Sequence, residues 1–129
     1  MTRDAIRVKT QDPFVSARKV PIPHLLVTAT TSGTAQTLLT ARTDALTQIG
    51  HLAVVNATAA AATLTLHSIP DGGTIGTSNA ELVAVSIPAN TAANLTDYIG
   101  QFYVGGAVLK AYSDTASALV LHGWVEEVL

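Results

Sequence analysis

Four histidines, His24, His51, His67 and His122, are the side chains of this sequence best suited to metal or acid–base chemistry. A neutral imidazole is both a metal ligand and a proton acceptor near neutral pH. Each lies on a different predicted strand, and a sheet can bring distant strands together. No two stand in the i, i+2 relation that puts both on one face of a strand, and none has a carboxylate nearby in a recognised arrangement. Their spacing carries no metal motif, so each reads as a surface or lightly buried strand histidine and no metal ligand is assigned.

Other chemistries fare no better. The run Asp71-Gly72-Gly73-Thr74-Ile75-Gly76-Thr77 has the glycines of a phosphate cradle but not the Lys-Ser/Thr ending of a P-loop, and no helical pattern follows it. It also lacks the spaced oxygen donors of a calcium loop. The acids Asp44, Asp71, Glu81, Asp97, Asp114, Glu126 and Glu127 fall mostly at predicted turns or near the C-terminus, with no paired-carboxylate site. The serines lack a strand-turn-helix elbow, and cysteine is absent, which removes disulfides, thiolate ligands and a thiol nucleophile. No catalytic residue and no cofactor is assigned, and the chain is not expected to be an enzyme. Asn56-Ala57-Thr58 and Asn94-Leu95-Thr96 match glycosylation acceptors by chance.

The elements that would position any site are strands. Period-2 alternation and turn residues place them over 24–30, 36–40, 47–57, 62–69, 81–87, 93–98, 102–104, 107–112 and 116–128. The clearest alternation sets Leu64 and Leu66 against Thr63, Thr65 and His67, and Val83, Val85 and Ile87 are expected to share one face. A short hairpin is expected at 58–61. In the last strand Leu119, Leu121 and Val125 occupy one side and Val120 and Trp124 the other, as suits a central strand or one covered by a neighbouring subunit. With no amphipathic helix between the strands, the fold class is all-β, an antiparallel β-sandwich or jelly roll of about eight strands.

Charge divides the chain unevenly. Residues 1–23 carry five basic side chains, Arg3, Arg7, Lys9, Arg18 and Lys19, against Asp4 and Asp12, a net +3; residues 24–129 carry −5. Pro13, Pro21 and Pro23 remove backbone donors and favour extended conformations. The sequence therefore divides into an extended basic N-terminal arm, 1–23, with Phe14 and Val15 as anchors, and a β-sandwich body, 24–129. The arm is too sparsely basic for a nucleic-acid tail, so docking on an acidic protein surface is the better reading, through Arg3, Arg7, Lys9, Phe14, Val15, Arg18 and Lys19. Hydrophobic content of 48% against 12% charged residues is high for a monomer and points to surface covered by other chains, with Val120 and Trp124 as a subunit interface. No apolar run reaches the roughly 20 residues of a membrane helix. The charged N-terminus does not look like a secretory signal, so an unprocessed chain made in the cytoplasm is expected.

Leu38-Leu39-Thr40-Ala41, Ala53-Val54-Val55-Asn56, the stretch from Ala62 to Pro70, Val85-Ser86-Ile87-Pro88-Ala89-Asn90-Thr91 and Ala107-Val108-Leu109-Lys110-Ala111-Tyr112-Ser113 resemble a family of small β-sandwich structural proteins in tailed-phage virions. The resemblance covers about two-thirds of the chain and leaves out the arm. It implies a capsid decoration, or cement, protein: a homotrimer on the capsid surface, with the major capsid protein or another virion protein as its partner. The arm lies outside the match, and its charge alone makes it the expected attachment to that partner; no membrane and no nucleic-acid partner are expected. A tail, baseplate or fibre subunit is the alternative within the virion. A carbohydrate-binding sandwich is the alternative outside it, and at 5% aromatic residues the chain has few side chains for a sugar platform.

Overall fold

In a computed structural model that describes residues 17–96 and 99–128, the chain forms nine strands among the described residues. They are β1 (Ala17–Val27), β2 (Gln36–Thr40), β3 (Leu46–Asn56), β4 (Ala62–Ile69), β5 (Ala80–Ile87), β6 (Thr91–Asn94), β7 (Phe102–Tyr103), β8 (Val108–Ser113) and β9 (Leu119–Val128). One sheet runs β1-β9-β3-β6, with the two-residue β7 pairing the rest of the β3 edge. The other runs β2-β8-β4-β5, and every pairing is antiparallel.

Setting β7 aside, the pairings β1 with β9, β2 with β8, β3 with β6 and β4 with β5 are those of one long antiparallel hairpin rolled over on itself. The added contacts β9–β3 and β8–β4 close the roll. This is the jelly-roll order of two Greek keys. Only the β4–β5 connection is a hairpin; the others between long strands pass from one sheet to the other. The 58–61 segment, expected as a hairpin, lies in such a crossing, because β3 and β4 belong to different sheets.

The inner faces supply the core. Ile22, Val27, Ile49, Leu52, Val54, Leu119, Leu121 and Val125 from the first sheet meet Leu38, Ala62, Leu64, Leu66, Ile87, Leu109 and Ala111 from the second. The Leu64/Leu66 alternation and the inward Leu119, Leu121 and Val125 of β9 follow the sequence pattern, and β9 is central, between β1 and β3. The expectation for Val83, Val85 and Ile87 fails. Leu64 pairs with Val85 but Leu66 with Leu82, so β5 holds one extra residue, and Ala84 takes a left-handed φ of 48°. The bulge turns Val83 outward while Leu82 and Ile87 stay against the core.

Buried Asn56 anchors the β3–β4 crossing. Its Nδ2 donates to the carbonyls of Ala60 and Ile87, and its Oδ1 accepts from the Thr58 amide and hydroxyl. At the β8–β9 end, Asp114 accepts from the Thr63 amide at 2.8 Å. That bond and the Thr115 hydroxyl hold its carboxyl below the usual carboxylate range.

Candidate functional site

The first sheet turns one face to the core and leaves the other uncovered by any described element of the chain. Register gives that outer face four rows across β1, β9, β3 and β6. Lys19, Glu126 and Gln48 form a polar row. Pro21, Trp124 and His51 form the next. His122 lies beside Ala53 and Asn94, with His24 set against it in the β1 bulge. Leu26, Val120, Val55 and Ala92 close the face with an apolar row, in which Leu26 is 46% exposed.

Two glycines let the aromatic row lie flat. A Cβ on Gly50 would fall inside the Trp124 ring, and one on Gly123 would fall on the carbonyl of His51. β3 is bulged between Ile49 and His51, so the indole lies over bare backbone at Gly50. The Lys19 ammonium sits 4.4 Å from the indole centroid, a cation–π contact.

The histidines separate into two kinds. His24 and His122 have ring centroids 5.0 Å apart, and His51 and His122 6.1 Å, so three strands bring three imidazoles onto one surface. No i, i+2 spacing announces this, because β1, β9 and β3 are adjacent only through the roll of the fold. His67 is different. It is buried in the second sheet, stacked on Tyr112, with Nδ1 2.9 Å from Asn79 Oδ1. That oxygen also accepts the Gly76 amide, and Asn79 Nδ2 donates to the Thr74 carbonyl, so the amide is oriented to receive a proton from His67 Nδ1. His67 is a structural histidine. Among the described residues, no group of three or more His, Asp or Glu side chains is placed so that it could hold a metal ion.

The residues expected in the basic arm divide in the same way. Arg3, Arg7, Lys9, Phe14 and Val15 lie outside the described residues. Arg18 and Lys19 are within β1, which starts at Ala17 rather than after Pro23, so the boundary drawn at 23/24 falls inside a strand. The prolines of that strand sit at a sheet edge, where a missing donor is tolerated. Arg18 reaches back to Glu127 with Nε at 3.1 Å and Nη2 at 3.0 Å. Glu127 also faces Arg42 at 3.5 Å, and Arg42 is bidentate to Asp44. The Asp44 hydrogen bond raises the Arg42 pKa and lowers that of Asp44 itself. Arg18 and Lys19 therefore both have partners within the body. Val120 and Trp124, expected at a subunit interface, lie on the same outer face.

The remaining surface holds less. A cleft of about 370 Å³ at one end of the sandwich is lined by the 71–75 glycine-rich loop together with Ser32, Gly33 and Lys110. Its lining has one cationic side chain, Lys110. Edge strand β5 exposes Val83 at 66%. Among the described acids, Asp44 is committed to Arg42, Asp114 to Thr63, and Glu127 to Arg18 and Arg42. Glu81 lies 3.4 Å from the Tyr103 hydroxyl, and no pair of carboxylates faces a shared cleft.

No known protein family matches the sequence, and no curated protein does. Among solved structures, a chain of the T13 IBDV viral particle is similar to this one at 17% identity and a TM-score of 0.42, over 99% of this chain and 34% of that one. This chain thus spans about a third of the length of the chain it matches.

Proposed function

We propose that the chain is a virion structural subunit, and within that class a capsid decoration protein of a tailed phage: a homotrimer whose outer sheet face packs against its own copies and whose N-terminal segment binds the shell. The observation that carries the reading is the outer face of the β1-β9-β3-β6 sheet. A tryptophan laid flat on a glycine and an apolar row of Leu26, Val120, Val55 and Ala92 make a broad, weakly charged surface of the kind that covers itself in an assembly. The jelly roll recurs in viral shell domains, but also in lectins and cupins, and fold alone assigns no function. The described acids engaged in structural pairs support a non-catalytic role. The Trp124 ring, already engaged by Gly50 and Lys19, gives no open platform for a sugar.

Sedimentation tests the assembly. The wild-type chain is expected as a trimer at micromolar concentration and Val120→Glu as a folded monomer; a wild-type monomer refutes it. Shell binding is tested by removing residues 1–16, which spares β1. The truncated protein should keep its oligomeric state and no longer decorate shells, and full occupancy by it would disprove attachment through that segment. Copies per particle separate decoration, with hundreds, from a tail, baseplate or fibre part, with few.

A further inference from the structure

We propose that His24, His51 and His122 make the assembly of this chain acid-sensitive: further copies pack on the outer face of the first sheet while the imidazoles are neutral and are expelled when they take up protons. The switch rests on the proposed packing of that face against its own copies. What carries it is the gathering of three imidazoles on one surface. His122, on central β9, has His24 of β1 on one side, at 5.0 Å between ring centroids, and His51 of β3 on the other, at 6.1 Å. Imidazole is the side chain whose ordinary charge change falls between about pH 5 and 8. Protonation therefore sets a like charge on each flank of His122, well inside the screening length of about 8 Å in physiological salt.

The face has little to offset that charge. Among the described residues its other charged groups are Lys19 of β1 and Glu126 of β9, register partners whose charges sum to zero. In the same rows β3 and β6 add the uncharged Gln48 and Asn94. Glu126 is four residues from His122 along β9, about 13 Å at about 3.3 Å per residue, which is beyond the screening length. Arg18 and Glu127 belong to the other side of the sheet, where they pair with each other. Three imidazolium charges thus take the face from zero to +3 per copy. His24 is exposed and His51 and His122 are half-buried, so protons reach all three in a separated copy. Against other copies the same charges would be removed from water and crowded among their like, which is costly. Separated copies therefore bind protons more tightly than packed ones, and association weakens as pH falls.

The test is sedimentation of the full chain at about pH 7.5 and about pH 5.5. The lower value lies within the imidazole range and above that of ordinary carboxylates, and circular dichroism checks that each protein stays folded there. The wild type should be assembled at the higher pH. At the lower it should associate at least about a hundredfold more weakly, as the exclusion of one proton per association step over two pH units requires. The triple variant His24→Gln, His51→Gln, His122→Gln, which keeps polar side chains in place of the imidazoles, should associate equally at both. His24→Gln alone, at the exposed edge of the cluster, and His122→Gln alone, at its centre, should each move the dissociation midpoint to lower pH. A wild type assembled equally well at both pH values overturns the switch and leaves self-packing of the face intact. A wild type monomeric at pH 7.5 removes the self-packing and the switch with it. Acid dissociation undiminished in the triple variant, or a midpoint unmoved in both single variants, overturns the proposal, because another group would then carry the effect.

Discussion

Substituting Gly50 by alanine tests how the outer face is built. The new methyl would occupy space already held by the Trp124 ring, whereas ordinary carbon–carbon contacts are about 3.5–4.0 Å. The β3 backbone at this point is fixed by the β9 ladder on one side and by hydrogen bonds from Gly100 and to Gln101 at Ile49 on the other, so the indole is what yields. Swinging it out uncovers on the order of 100 Å² of apolar surface, about 2.5 kcal/mol at about 25 cal/mol per Å². It also gives up the Lys19 contact, about 0.5 kcal/mol on an exposed face. Replacing glycine in a strand returns about 0.5 kcal/mol. Gly50→Ala is therefore expected to cost about 2–3 kcal/mol, with a red-shifted emission from the single tryptophan. Urea unfolding followed by that fluorescence, and independently by circular dichroism, measures it. In a Trp124→Ala background the same glycine substitution should be neutral or slightly stabilising, so the double-mutant cycle should give a coupling of about 2 kcal/mol. A coupling under about 0.5 kcal/mol, within the usual additivity error, together with unchanged emission would refute the stacking argument.

Two further substitutions address the frame beneath that face. Asn56→Ala leaves the carbonyls of Ala60 and Ile87 and the amide of Thr58 without their partner, and should lower stability by about 2–4 kcal/mol; a loss under about 1 kcal/mol would show that the β3–β4 crossing does not depend on it. For Asp114, a folded-state pKa below the unfolded one means stability that is complete at neutral pH and is lost as pH falls through the lowered value. Acid titration below about pH 4 should therefore destabilise the wild type more steeply than Asp114→Asn, whose amide oxygen still accepts from Thr63. Identical acid limbs for the two proteins would contradict this.

Much of the fold is readable locally. The alternation at 62–69 predicts β4 to the residue, because both sides of that strand are specified by side chains. The two apolar sides of 116–128 suit a central strand or one covered by a neighbouring subunit, and β9 is central, starting at Leu119. The proline-punctuated start of β1 misleads, since a proline pattern does not distinguish a free strap from an edge strand; its partner, β9, lies about 100 residues away. The β5 bulge is hidden because Ala84 gives no local sign of a left-handed backbone. The 58–61 segment looks like a hairpin, because turn residues do not say which sheet the next strand joins. Val120 and Trp124 are visible as outward apolar positions, but the histidine trio is not. It exists only where β1, β9 and β3 lie side by side, and no spacing along the chain encodes that adjacency.

The closing contacts of the roll have a kinetic consequence. β9 lies between β1 and β3, both made earlier, so the first sheet has no centre until β9 has left the ribosome. This sheet cannot form before that strand is made, and the long sequence separation of its pairings places folding among the slow, millisecond-to-second class. Meanwhile the edges of β1 and β3 are open to other nascent chains. Pro21 and Pro23, which read as marks of an arm, then act as gatekeepers: they interrupt the donor row of β1 while it waits for its partner.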